Sequence, residues 1–177
     1  MATSDKLVIT DISILGKLSA DELAQIVALQ KEIIGDVDFE VQAEFMESLQ
    51  LLSNGVFIIA KKGDTIVGMV QGTRIVNLRS SKVFVDSMVI HREYRKQGIG
   101  AILLASLELH AIDYWSDVTK IILTNGPRRG NGGFYRSLGY IPRADERRLV
   151  RWVKQLANIF SLPPNETYFW EKQIRSK

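Results

Sequence analysis

The run Val85-Asp86-Ser87-Met88-Val89-Ile90-His91-Arg92-Glu93-Tyr94-Arg95-Lys96-Gln97-Gly98-Ile99-Gly100 passes without a break from a β-branched strand, through a basic turn, into a Gly-x-Gly helix start. Such a junction is a cradle for an anion. Gly98 and Gly100 have no side chain to block close approach, the first N–H groups of the helix point outward without intrahelical acceptors, and the helix dipole favours negative charge there. Arg95 and Lys96 add positive charge. The same residues also fit an ordinary tight turn with solvated basic side chains. A dinucleotide fingerprint would need a third small residue where Leu103 stands, and a P-loop would need Gly-Lys-Ser/Thr; the sequence has neither.

Around this run the chain alternates strands and helices. Leu7 to Ile9 with Ile12 reads as a first strand. Ser19 with Glu22 three residues on forms a capping box, Leu18 can staple to Leu23, and Leu23, Ile26, Val27, Ile33 and Ile34 share a helical face. A second amphipathic helix is expected from about Asp38, with Val41, Phe45, Leu49 and Leu52 inward and Gly55 at its stop. Val56–Ala60 and Thr65–Val70 flank a turn and predict a hairpin. Lys82–Ile90 reads as a central strand, and Ile99, Leu103, Leu107 and Ala111 make the stripe of the helix that follows it. Val118–Leu123 is then a strand parallel to the central one, since a helix separates them. A glycine-rich loop leads into a short helix, Phe134–Leu138, that Gly139 ends, and Pro142 places Tyr140–Pro142 at a sheet edge. Leu149, Trp152, Val153, Leu156 and Phe160 mark a further helix stopped by Pro163-Pro164, before a last strand from Thr167 to Ile174. One mixed α/β or α+β domain over residues 1–177 is the expectation, with an additional helical segment at about 144–165.

Composition removes several classes of chemistry. The 177 residues are 46% hydrophobic and 24% charged, as in a globular domain, and no cysteine is present, so disulfides, thiolate metal sites and a cysteine nucleophile are excluded. The two histidines, His91 and His110, are too few for a histidine metal site, and no metal is expected. Apolar runs fall far short of the roughly 20 residues of a membrane span. With the polar start MATSDK this gives a cytoplasmic protein with no membrane partner as the default. The net charge of +3 and pI near 9.2 give little support to nucleic-acid binding, and no aromatic-basic pattern of nucleic-acid modules is present.

Arg95-Lys96-Gln97-Gly98-Ile99-Gly100 resembles the Arg/Gln-x-x-Gly-x-Gly/Ala hallmark of the GNAT N-acyltransferases, and Phe134-Tyr135-Arg136-Ser137-Leu138-Gly139-Tyr140 resembles their second signature. The two occur in the family's order, and the surrounding elements match from about residue 7 to 174. The resemblance implies a mixed, mostly antiparallel sheet of six to seven strands with flanking helices, in which the central strand and its parallel neighbour splay apart to admit acetyl-CoA. It implies that backbone groups of Met88, Val89 and Ile90 pair with pantetheine. The turn of Arg95, Lys96, Gln97, Gly98, Ile99, Gly100 and Ala101 would hold the pyrophosphate, and Asn131 would contact the cofactor from the loop. Asp86 would serve the acceptor amine as base, through water or by binding it, and Tyr135 would protonate the departing thiolate. The chain departs from the family where Arg128 and Asn131 replace an Asn and a small residue, and in the longer 144–165 segment.

The function implied is acetyl transfer from acetyl-CoA to a primary amine, on a small molecule or a protein, by direct attack in a ternary complex. The alternative is a non-catalytic CoA-binding or protein-interaction domain of the same fold. A monomer or homodimer fits either.

Overall fold

The computed structural model describes residues 6–15, 18–34, 54–76, 81–124, 131–142 and 169–175. The helix expected from Asp38, the loop carrying Arg128, and the helix expected at about 144–165 lie outside them.

Seven strands form one mixed sheet in the order β1-β2-β3-β4-β5-β7-β6: β1 (Leu7–Asp11), β2 (Gly55–Lys62), β3 (Thr65–Ile75), β4 (Ser81–Ile90), β5 (Val118–Thr124), β6 (Ile141–Pro142) and β7 (Phe169–Gln173). Among the described residues only β4 and β5 run parallel; every other pairing is antiparallel. The connection between that parallel pair is a helix, as such a crossover requires. The expected hairpin is β2–β3, and β6 is the edge that its proline permits.

Two apolar faces cover the sheet. On one lies α3 (Ile99–Tyr114), whose Ile99, Leu103, Leu107 and Ala111 are buried against Val67, Val70, Val83 and Val85. On the other lie α1 (Ile12–Leu15) and α2 (Ala20–Ile34), which bury Ile12, Ile26 and Leu29 against Phe57, Ile59, Met69 and Val89. The capping box at the start of α2 forms as expected: Glu22 N–H donates to Ser19 Oγ (3.2 Å) and Ser19 N–H to Glu22 Oε2 (2.8 Å). Leu18 and Leu23 pack on the same cluster.

Ile12 does not extend the first strand. Asp11 Oδ1 accepts from both the N–H (3.0 Å) and the hydroxyl (2.6 Å) of Ser13, which turns the chain into α1 at Ile12. The other oxygen of Asp11 meets His110 Nδ1 of α3 at 2.6 Å. Burial alone would raise the Asp11 carboxyl, but the bonds from His110 and Ser13 hold it below its ordinary range.

Candidate functional site

The parallel seam is closed at one end and open at the other. Pairing between β4 and β5 runs from Ser81↔Val118 to Val85↔Leu123, and among the described residues nothing on that side pairs with β4 beyond Val85. At the closed end, Asp117 accepts from Arg74 (2.6 Å) and from the Ser81 hydroxyl, bonds that keep its carboxyl below the usual range. At the open end, His91 N–H turns back to Val67 O on β3 (3.0 Å). By the alternation of an antiparallel ladder, the backbone groups of Met88 and Ile90 therefore point away from β3, into the opening.

A β-bulge sets this phase. Gln71 opposes Ser87 while Gly72 opposes Val85, so Asp86 is the extra residue. The insertion lets Val83 and Val85 share the α3 side with Met88 and Ile90, while Val89 packs on the α2 side. Asp86 leans to Thr73, whose hydroxyl donates to Oδ2 at 2.7 Å. The protein around this carboxylate pushes its pKa up by desolvation, against the Thr73 bond, although its outer edge stays in contact with water.

After β4 comes a one-turn 3₁₀ helix, Arg92–Tyr94, capped by His91 Nδ1, which accepts from Glu93 N–H (3.4 Å). Lys96 (φ 62°) and Gly98 (φ 81°) then adopt left-handed conformations, and Gly98 caps α3. The N–H groups that begin α3 at this turn have no acceptor one helical turn back. Ala101 N–H is already bound to Gly98 O (3.0 Å), so the outward donors belong to the residues before it.

This turn and the open edge of β4 enclose a cleft of about 740 Å³. Of the residues singled out in the sequence, Met88, Val89, Ile90, Arg95, Lys96, Gly98, Ile99, Gly100, Ala101 and Asn131 form its wall. Gln97 stands behind the turn, where its carbonyl accepts from Lys62 Nζ and its amide donates to Glu93 O, both at 3.2 Å. Asp86 is off the wall, one strand residue removed from Met88's neighbour. Tyr135, on α4 (Gly132–Ser137), lies in the core with 6% of its surface exposed, its ring 5.8 Å from Trp170 and 5.2 Å from Phe134. Its neighbours Phe134, Ser137 and Leu138 supply the wall instead. The sequence reading also missed Tyr94 and Glu32. A partly apolar helix of one and a half turns exposes different residues with a small rotation, and a lone carboxylate on the solvent side of α2 carries no pattern.

The family profile described as Acetyltransferase (GNAT) family matches residues 22–140. The chain belongs to that family. No curated protein matches it. Among solved structures, an acetyltransferase of the GNAT family from Staphylococcus aureus MU50 is 20% identical, with a TM-score of 0.65 over 96% of this chain and 100% of that one. An aminoglycoside 6'-N-acetyltransferase complexed with coenzyme A is 15% identical, with a TM-score of 0.67 over 96% and 98%. AAC(6')-Iy in complex with the bisubstrate analogue CoA-S-monomethyl-acetylneamine is 13% identical, with a TM-score of 0.63 over 76% and 90%. At these identities the likeness is one of fold. Among the described residues no helix is long and apolar enough to cross a membrane, and no cluster could hold a metal ion.

Proposed function

We propose that the protein is an acetyl-CoA-dependent N-acetyltransferase acting on a primary amine by direct attack in a ternary complex. The observation that carries this reading is the edge of β4 at Met88–Ile90, which no described strand pairs on the β5 side, set against the turn that begins α3. An open strand edge binds an extended amide chain as an added strand, and a helix start beside it binds phosphates. Pantetheine joined to a pyrophosphate has that polarity and order. Two of the structural neighbours hold coenzyme A or a CoA analogue, which supports the choice.

When bound, acetyl-CoA supplies an activated acetyl thioester. Met88 and Ile90 hold it by their backbone groups, and an N–H from this segment stabilises the oxyanion as the amine nitrogen forms its bond to the acetyl carbon. Asp86, on the α2 side of the sheet, takes the amine's proton directly or through water; its raised pKa brings it nearer to that task. The carbon–sulfur bond then breaks, and Tyr135 is the residue we assign to give the thiolate a proton. Lys96 to Gly100 hold the pyrophosphate, with Ala101 closing the helix turn behind them and Asn131 also on the cleft wall. We take the chain as one domain, with residues 144–165 shaping the acceptor pocket or a dimer contact.

One observation favours a second reading, a CoA-binding domain without turnover: neither Asp86 nor Tyr135 stands on the cleft wall. A thiol-release assay with acetyl-CoA against a panel of amines, run beside calorimetric titration with CoA, separates the two. Binding with thiol release supports the transferase, and binding without release for any amine supports the alternative. Absence of CoA binding removes both.

A further inference from the structure

We propose that Glu32, on α2, is a positioning residue that holds the open end of β4 in its substrate-ready geometry by way of Arg95. This rests on the transferase reading above. Glu32 is the one carboxylate on the cleft wall among the described residues. A negative charge facing a site for a phosphate-rich ligand is unfavourable unless something neutralises it, and its place near the C-terminal end of a helix is unfavourable too. Its surroundings account for it. Oε2 accepts from Arg95 Nη2 at 2.5 Å, and Oε1 lies 4.0 Å from His91 Nε2.

Arg95 uses a second nitrogen on the strand. Its Nε donates to Ile90 O at 2.9 Å, and that carbonyl points into the splay. The same peptide unit is tied on its other side, where His91 N–H donates to Val67 O. The peptide joining Ile90 to His91 is thus fixed from both sides, and the fixing on the cleft side depends on a guanidinium that Glu32 orients. The Glu32 side chain is 24% exposed and that of Arg95 53%, so the carboxylate is the more covered of the two charged groups. Two consequences follow for the motif arginine. Its charge is already compensated, and its work is to end the strand, while the phosphates are left to backbone N–H groups and Lys96.

Replacing Glu32 with Gln removes the anion from the wall and loosens Arg95 together. CoA affinity is expected to change little, since loss of the anion from the wall offsets the loosened Ile90 carbonyl, while kcat falls about 10- to 100-fold, the range for a reacting group displaced by a remote change. Glu32→Asp should recover part of kcat. A Gln variant with wild-type kcat, or one whose kcat and CoA affinity decline in parallel with its thermal stability, would overturn the proposal. NMR on the protein without ligand tests the geometry separately. Arg95 Nε–H and the His91 amide should exchange with solvent faster in Glu32→Gln than in wild type, and unchanged protection of Arg95 Nε–H also overturns it. A wild-type protein that fails to bind CoA would remove the transferase reading, and the exchange result would still decide whether Glu32 orders the strand end.

Discussion

Gly100 and Phe134 are neighbours on the cleft wall, where a Cβ on Gly100 would lie 3.3 Å from Phe134 Cζ. The first turn of α3 and the first turn of α4 therefore come close together at two residues that also line the site. Gly98, two residues earlier, has open space around its Cβ position but a φ of 81°. One glycine is required by a neighbour and the other by its own backbone.

That difference predicts two distinct mutational patterns. At Gly100, Ala should keep CoA binding, because a ring edge has only a few tenths of an ångström to yield, and Val should abolish it. At Gly98, Val should cost about 1–2 kcal/mol of backbone strain and most of the CoA affinity, whereas Asn, which tolerates the left-handed region, should cost less of both. Calorimetric titration with CoA and thermal melts check the four variants.

Asp86→Asn should lower kcat by about 100-fold or more if the carboxylate accepts the amine's proton. The active form is the deprotonated one, and its pKa is raised, so kcat/KM should fall on the acid side at a higher pH than an ordinary carboxylate would give. Thr73 donates to the charged form and holds the pKa down. Thr73→Val should therefore move that acid limb further up in pH. A limb unmoved by Thr73→Val would show that Asp86 does not set it.

Tyr135→Phe should reduce acetyl transfer by less than about tenfold, since a thiol of pKa ~8.5 is a fair leaving group without help. Tyr135→Ala should instead unfold part of the protein, removing about 3–5 kcal/mol, because the ring is packed among Phe134, Tyr140 and Trp170. Steady-state rates and denaturant melts separate the hydroxyl from the ring.

The start of α2 offers a test by pH. Glu22 is held down to about 2, first by Lys61 and then by the Ser19 N–H. A depressed folded-state pKa stabilises fully above the unfolded value near 4.5, and that stabilisation is lost as the pH falls toward 2. Glu22→Gln should lower the melting temperature at pH 7 and converge on wild type in acid. Ser19→Ala should cost about 1 kcal/mol.

Features written in local patterns were legible before any coordinates. The Ser19–Glu22 box, the α3 stripe of Ile99, Leu103, Leu107 and Ala111, the β2–β3 hairpin and the edge proline each depend on residues a few positions apart, and each is present. The turn at Gly98 was readable for the same reason. Ile12 was misassigned because an Asp–x–Ser turn outweighs the β preference of one isoleucine. The bulge at Asp86 left a trace, a slip of phase between Val83, Val85 and Met88, Ile90, but only the opposing strand settles where the extra residue sits. Glu32 was beyond reach. Its partner Arg95 is distant in sequence, and a charge on the outer side of a helix reads as solvated until the fold brings its partner beside it.

The opening between β4 and β5 also has a mechanical meaning. The sheet is a zipper fastened at the Ser81–Asp117 end and undone toward Ile90, so its two halves, β1–β4 and β5–β7, share little hydrogen bonding at the centre of the molecule. A ligand lying along Met88–Ile90, as proposed, would supply teeth that none of the described residues provides. On the transferase reading proposed above, stiffness in the middle of this protein would come with the bound carrier and leave with it.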